Sequence, residues 1–465
     1  MSEKRQLFGT DGVRGVAGEY PLDRTTVFRL GAAVARVLGR HAAGKNPRLL
    51  LGQDTRESSG WIAERLAMGL ESAGTRVTEA GVLTTPGIAF LTRQRGFDAG
   101  AVVSASHNPY GDNGIKVLAG NGMKLCEAWE LEIERELAGA AEAPAAALPA
   151  RAAKDGNRGR GPAAELEQEY IDWLCGLAPV SRALGRLRLV MDCANGAAWR
   201  VAPKLMERLG IRARTLNAAP NGRNINEGCG SLHPEEMART TAAEGADLGV
   251  ALDGDGDRAI FAGRDGRVLD GDAVIYLAAL DRQRRGVLPN DTVVGTLMSN
   301  LGLELALAER GIGLERSGVG DKSVVEAMLR SGAAVGGEPS GHIIFASVSM
   351  AGDGLVTTLE MLRLISESGK PIEELAAGLH AFPQTIRNVR AVKKPPLETL
   401  PEVNRVIEEC RREMSGRGRV VVRYSGTEAL ARVMVEAEDA QLVETHARRI
   451  TEAMESALGA NEGER

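Results

Sequence analysis

Short apolar runs alternate with amphipathic helical stripes along most of this 465-residue chain, and several runs end in loops rich in glycine and aspartate. Residues 49–51, 99–103, 187–191 and 247–252 read as strands. The stripe Val27, Leu30, Val34, Val37 and Leu38 reads as one face of a helix. Repeated strand–loop–helix order predicts α/β layers with mixed, mainly parallel sheets. In such sheets ligands gather at the carboxyl ends of strands, which is where this chain carries its least ordinary loops.

Composition narrows the class. Glycine supplies 57 of 465 residues, about 12% against a usual share near 7%. With 43% hydrophobic and 26% charged residues and no Gly-X-Y period, the surplus means backbone-built loops, not disorder or collagen. No apolar run approaches the ~20 residues of a membrane span, and no apolar segment follows the first residues as in a signal peptide. Cys126, Cys175, Cys193, Cys229 and Cys410 are scattered without a CxxC pair, so reduced thiols and a cytoplasmic setting are expected. A net charge of -5 gives no basic stripe for nucleic acid, so neither nucleic acid nor membrane is an expected partner.

Periodicity lapses over 140–162, which reads as a linker, and breaks are expected after the 253–263 stretch and near 382–383. This gives four units: α/β domains at 1–162, 163–265 and 266–383, and a smaller C-terminal α+β domain at 384–465. The last unit reads as a helix near 400–413, strands at 419–424 and 431–436, and a helix striped by Val443, Ile450 and Met454. The tail at 461–465 reads as frayed.

The sharpest chemical signal is Asp253-Gly-Asp-Gly-Asp-Arg258, directly after a strand-like run. Three alternate carboxylates with glycines between them can converge on one hard cation. An EF-hand would need Gly and Glu where Arg258 and Arg264 stand, so Mg²⁺ completed by a phosphate oxygen is favoured. Ser104-Ala-Ser-His-Asn-Pro, running on to Lys116, follows another strand and offers a serine beside His107 as a phosphate carrier. Gly336-Gly-Glu-Pro-Ser-Gly-His342 places Glu338, Ser340 and His342 at alternate positions, a set suited to sugar hydroxyls. Arg423-Tyr-Ser-Gly-Thr-Glu428, with Arg432 beyond, suits a phosphate cradle. Each of the last two would also suit an ordinary polar hairpin. Phe8-Gly-Thr-Asp-Gly-Val-Arg-Gly15 presents Arg14, and Gly318-Val-Gly-Asp-Lys322 heads a helix with Lys322.

In chain order, the five loops that begin at Phe8, Ser104, Asp253, Gly337 and Arg423 resemble those of the α-D-phosphohexomutase superfamily, over about residues 5–457. Asp192-Cys-Ala-Asn-Gly-Ala, Asn224-Ile-Asn and Val294-Gly-Thr-Leu-Met-Ser-Asn are similar too. Gly-Thr-Asp-Gly in the first loop and Ser-Gly-Thr in the last most resemble the bacterial phosphoglucosamine mutases. The phosphomannomutase/phosphoglucomutase branch is the alternative, and a strand followed by Asp-x-Asp leaves an aspartyl-phosphate phosphohydrolase as a remoter one. Ala429 stands where the family usually has proline, Lys322 where it often has arginine, and the 140–162 stretch is longer than usual.

The resemblance implies three similar α/β domains and a smaller C-terminal one around a central cleft. It implies an isomerase interconverting glucosamine 6-phosphate and glucosamine 1-phosphate, whose product feeds UDP-N-acetylglucosamine and peptidoglycan synthesis. Ser106 would carry a phosphate that passes to the substrate and returns from a 1,6-bisphosphate intermediate. Glucosamine or glucose 1,6-bisphosphate would be the activator. Asp253, Asp255, Asp257 and the Ser106 phosphate would hold Mg²⁺, with Arg258 and Arg14 adding positive charge and His107 or Lys116 as the base. Glu338, Ser340 and His342 would grip the sugar. Arg423, Ser425, Gly426, Thr427 and Arg432 would cradle the distal phosphate, aided by Lys322, on a domain that closes as a lid. It also leaves room for a homodimer and for a protein kinase that first phosphorylates Ser106.

Overall fold

The computed structural model describes residues 7–9, 11–41, 46–139, 162–178, 184–391, 393–424 and 429–458. Four sheets follow one another along the chain. The first holds β1 (Val13–Val16), β2 (Arg48–Gln53), β3 (Arg76–Val82), β4 (Ala99–Val103) and β5 (Asp112–Ala119), in the order β1-β5-β4-β2-β3. Its helices are α1 (Arg24–His41), α2 (Ser59–Ser72), α3 (Thr85–Gln94) and α4 (Glu127–Gly139). The second holds β6 (Arg188–Asp192), β7 (Arg212–Leu216), β8 (Leu248–Leu252), β9 (Ala259–Ala262) and β10 (Val268–Leu269), in the order β10-β9-β8-β6-β7. Around it lie α5 (Pro162–Leu177), α6 (Val201–Arg208) and α7 (Glu235–Glu244).

The third sheet holds β11 (Thr292–Thr296), β12 (Gly313–Ser317), β13 (Val335–Gly337) and β14 (Ile343–Phe345), in the order β12-β11-β13-β14. Its helices are α8 (Gly271–Arg284), α9 (Leu301–Ala308), α10 (Asp321–Ser331), α11 (Gly354–Ser368) and α12 (Ile372–Leu375). The last, wholly antiparallel sheet is β15 (Gln384–Arg390), β16 (Gly418–Tyr424) and β17 (Leu430–Ala437), in the order β15-β17-β16, backed by α13 (Pro401–Glu413) and α14 (Ala440–Leu458).

The first three sheets repeat one plan. Three parallel strands are followed by an antiparallel neighbour, as β4 pairs with β5, β8 with β9 and β13 with β14. Every residue of β4 (AGAVV) and β8 (LGVAL) is buried, as strands covered on both faces require. The loop from the third parallel strand to its antiparallel partner recurs three times. In turn it carries Ser106, the aspartate triplet and the 338–342 segment. The three sheets also share an apolar core. Val102, Leu189, Phe261, Val293 and Phe345 belong to one cluster with Tyr170 of α5 and Leu355 of α11. The antiparallel sheet has its own core around Val403, Val433 and Ile450.

Strands read from sequence lie within about one residue of β4, β6, β8, β16 and β17. β15 escaped sequence reading, because QTIRNVR is an edge strand with a mostly exposed, polar pattern. Of the 140–162 linker, only Pro162 is described. It opens α5, where its missing N–H costs nothing. No helix among the described residues is long and apolar enough to cross a membrane.

Candidate active site

Ser106 is buried, 1% exposed, and has a φ of 51°. A left-handed serine costs on the order of 1–2 kcal/mol and persists only where neighbours over-determine it. Here they do. Ser104 Oγ accepts from Ser106 N at 3.0 Å and donates to Asp54 Oδ2 at 2.6 Å. Asp54 is ion-paired with Arg56, and Arg56 Nη2 donates to the carbonyls of Ser106 (3.2 Å) and Asn108 (2.6 Å). From the second sheet's loops, Asn226 Nδ2 donates to the same two carbonyls at 2.9 and 3.0 Å. The Ser106 hydroxyl is thereby set 2.5 Å from Asp253 Oδ2 and 3.3 Å from His107 Nδ1.

Asp253, Asp255 and Asp257 are buried, and one oxygen of each lies within 4.8 Å of the others. Gly254 permits the path, since a Cβ there would sit 2.5 Å from the Ser106 carbonyl oxygen. Thr85 Oγ1 and Lys116 Nζ donate to Asp255 Oδ2 at 2.6 and 2.8 Å. His342 Nδ1 stands 3.6 Å from Asp257 Oδ2. Burial, then the charges of Asp257 and Asp255, push Asp253 well above the ordinary carboxylate range. Burial also opposes ionisation of Asp257, but Lys116, His342 and Arg258 outweigh it and hold that carboxyl well below the range. Asp255 Oδ1 and Asp257 Oδ1 are buried without hydrogen-bond partners. An all-oxygen set with two orphaned carboxylate oxygens fits a hard divalent cation such as Mg²⁺.

The cations around the triplet are locked in place. Lys116, 2% exposed, lies 3.0 Å from Asp11 Oδ2, 2.8 Å from Asp255 Oδ2 and 3.7 Å from Asp257 Oδ2. Burial opposes its charge, yet Asp11 and the two loop aspartates raise it well above a normal lysine. Lys124 joins Asp11 to Asp321 Oδ2 (2.7 Å) at the head of α10. Burial, then Arg258 and Arg14, brings His107 down to about 4. Burial opposes charge on His342 too, but Asp257, Asp321 and Glu338 bring it up to about 9. Arg14 pairs with Asp11 and donates to Asn108 Oδ1 at 3.2 Å. Arg258 lies 3.8 Å from Asp257 Oδ1.

The residues read as a sugar grip divide. His342 turns to the triplet, Glu338 Oε1 accepts from Gly320 N at 2.9 Å, and the Ser340 hydroxyl is buried without a partner. Lys322 Nζ faces the first sheet's layer, 3.4 Å from both Leu125 O and Glu130 Oε2. Arg423 and Arg432 are register partners on β16 and β17 and line one cavity with Met298 and Asn388. Burial, then the Arg432 charge, lowers Arg423, which marks a pair suited to an anion. Ser425, Gly426 and Thr427 lie outside the described residues. Sequence reading missed Asp11, Asp54, Arg56, Thr85, Lys124, Asn226 and Asp321. Only Asp11 and Asp321, inside quoted motifs, and Asn226, in Asn-Ile-Asn, carried any local signal.

The family described as phosphoglucomutase/phosphomannomutase matches in four parts: alpha/beta/alpha domain I at residues 5–143, II at 168–266, III at 270–382, and the C-terminal domain at 386–453. The phosphoglucosamine mutase of Koribacter versatilis is 49% identical, over 98% of both chains. That of Solibacter usitatus is 46% identical, over 98% of this chain and 99% of its own. The chain belongs to the phosphoglucosamine mutase family. Among solved structures, a phosphoglucomutase/phosphomannomutase family protein from Burkholderia thailandensis superposes with a TM-score of 0.76 at 22% identity, over 99% of each chain. Aspergillus fumigatus N-acetylphosphoglucosamine mutase, solved in complex with GlcNAc-6P and magnesium, gives 0.66 at 19% identity, over 98% of this chain and 96% of its own. A variant of the same fungal enzyme was solved with glucose 1,6-bisphosphate (0.65, 19%, with the same coverage). These three matches show that the chain shares its fold with those structures.

Proposed function

We propose that the protein interconverts glucosamine 6-phosphate and glucosamine 1-phosphate through a phosphoserine at Ser106. The observation that carries this reading is the Ser106 hydroxyl held 2.5 Å from Asp253 inside a buried three-aspartate cluster. The proposed working units are 1–162, 163–265, 266–383 and 384–465. The substrate hydroxyl attacks the Ser106 phosphorus, its new O–P bond forming as the Ser106 Oγ–P bond breaks. His107, neutral near pH 7 and beside Oγ, takes the hydroxyl proton and returns it to Ser106 Oγ. Lys116, protonated and tied to three carboxylates, steadies charge and is not the base. The resulting 1,6-bisphosphate turns over in the site and gives its other phosphate back to Ser106.

Asp253, Asp255 and Asp257 would hold Mg²⁺, which when bound offsets the charge of the phosphoryl group. The fungal relatives' magnesium and glucose 1,6-bisphosphate complexes support the same needs here. Glu338, Ser340 and His342 orient the sugar, with Arg14, Arg258 and Lys322 supplying further positive charge. Arg423 and Arg432, with Ser425, Gly426 and Thr427, receive whichever phosphate is distal. A cytoplasmic setting, a homodimer and a kinase that first phosphorylates Ser106 complete the proposal.

The deciding assay follows glucosamine 6-phosphate with Mg²⁺ and catalytic glucose 1,6-bisphosphate, beside glucose and mannose phosphates. A kcat/KM favouring the glucose or mannose substrates would move the chain to that branch. Purified protein should include a fraction about 80 Da heavier, one phosphate mapping to Ser106. Arg423→Ala should raise KM about 10- to 100-fold for both phosphosugars with a smaller fall in kcat, because a distal anchor binds ground and transition states alike. Equal loss in kcat would place Arg423 at the reacting phosphate instead.

A further inference from the structure

Tyr170 of α5 is fully buried far along the chain from any site loop. Its ring packs against Phe90 and Trp173, with centroids 6.0 and 5.9 Å away. Phenylalanine would fill that space as well, and a buried hydroxyl is costly unless bonded. The hydroxyl donates to Asp353 Oδ2 at 2.6 Å. Asp353 is the N-cap of α11, its Oδ1 accepting from Leu355 N and Val356 N at 2.8 and 3.2 Å.

The residue after the cap meets the aspartate loop. Gly354 donates its N–H to the Gly256 carbonyl at 3.0 Å, and a Cβ on Gly354 would lie 2.6 Å from the Arg258 carbonyl oxygen. On the other side, Thr85 binds Asp255 through both its N–H (2.9 Å) and its hydroxyl (2.6 Å). Gly256, at φ +75°, runs beside Thr84, the N-cap of α3, so that a Cβ on it would lie 2.7 Å from the Thr84 methyl. The loop is clamped between the first turns of α3 and α11, and the phenol bonds the cap of the second.

We propose that Tyr170 is a positioning residue for the metal loop. It fixes the Asp353 cap, therefore the Gly354 N–H, and through that bond the path of residues 254–257. This rests on the reading of Asp253, Asp255 and Asp257 as the Mg²⁺ ligands. Removing the hydroxyl leaves the ring's packing intact but lets the loop relax, which weakens metal binding as loss of an outer partner does elsewhere.

The test is Mg²⁺ binding to purified Tyr170→Phe by calorimetry, with melting in EDTA measured beside it. Mg²⁺ affinity should fall about 5- to 10-fold, while KM for glucosamine 6-phosphate at saturating Mg²⁺ stays within about twofold. Phe90→Leu, which trims packing on the same ring without touching the hydroxyl, should lower the melting temperature and leave Mg²⁺ affinity unchanged. A Tyr170→Phe protein that melts lower but binds Mg²⁺ like wild type would overturn the proposal. If that variant does not fold, Asp353→Asn, which keeps the capping oxygen and removes the acceptor for Tyr170, must show the same weakened binding. No Mg²⁺ binding by wild type would instead sink the metal reading itself.

Discussion

Ser106→Ala should leave less than about 10⁻⁴ of wild-type mutase turnover in a protein that folds normally. Phosphate monoesters are among the slowest biological bonds to break without catalysis, needing accelerations up to ~10²¹-fold, so loss of the covalent carrier has no substitute nearby. His107 is the adjacent nucleophile, but it is the Ser106 hydroxyl, not the His107 ring, that the loop sets 2.5 Å from Asp253. The fold should tolerate the change. Ser106 donates one side-chain bond, to Asp253, while the loop's path is held by Arg56 and Asn226 through carbonyls that alanine keeps. Alanine must adopt the same φ of 51°, so a fall of a few degrees in Tm is expected. Turnover above about a tenth of wild type would end the phosphoserine mechanism.

Asp253→Asn should divide activity from stability. Without one of three convergent carboxylates, Mg²⁺ binding and turnover should both fall by about 10³-fold or more. In EDTA the same variant should melt higher than wild type. Burial and two neighbouring aspartates raise Asp253 in the folded state, so folding disfavours its ionised form. For a carboxyl raised in this way, stability is full below the unfolded-state pKa and is lost as pH climbs toward the folded-state value. The metal-free wild type therefore loses this contribution above the normal carboxylate range, and the variant does not. The gap in Tm should widen as pH rises from 5 and close when Mg²⁺ is added to wild type. A variant that melts lower in EDTA throughout that range would contradict this account of the cluster.

Contiguous chemistry was legible in the sequence. The aspartate triplet, Ser106 with His107, and Glu338 with His342 each occupy a few residues after an apolar strand, so local spacing carries them. What joins the loops was not legible. Asp11 meets Lys124 and Lys124 meets Asp321 across 113 and 197 residues, and Asn226 reaches Ser106 across 120. Each is a single polar residue whose partner is chosen by the fold, not by its neighbours in sequence. Lys322 shows the same limit. Its place at a helix head suggested an anion, while its contacts with Glu130 and the Leu125 carbonyl span 192 and 197 residues and could not be read locally. β15 was hidden because an edge strand needs little apolar patterning.

The core common to the first three sheets has a consequence for how the molecule comes apart. Apolar burial is shared among them, so they should melt as one cooperative unit rather than three. The antiparallel sheet keeps a separate core and is moored to the third by few polar threads. Arg419 donates to Ser299 O at 2.8 Å, and Glu436 accepts from Leu301 N at 3.1 Å. Calorimetry should then record two transitions, not four. On gentle warming the arginine pair would detach first, leaving the Ser106 and aspartate loops still assembled.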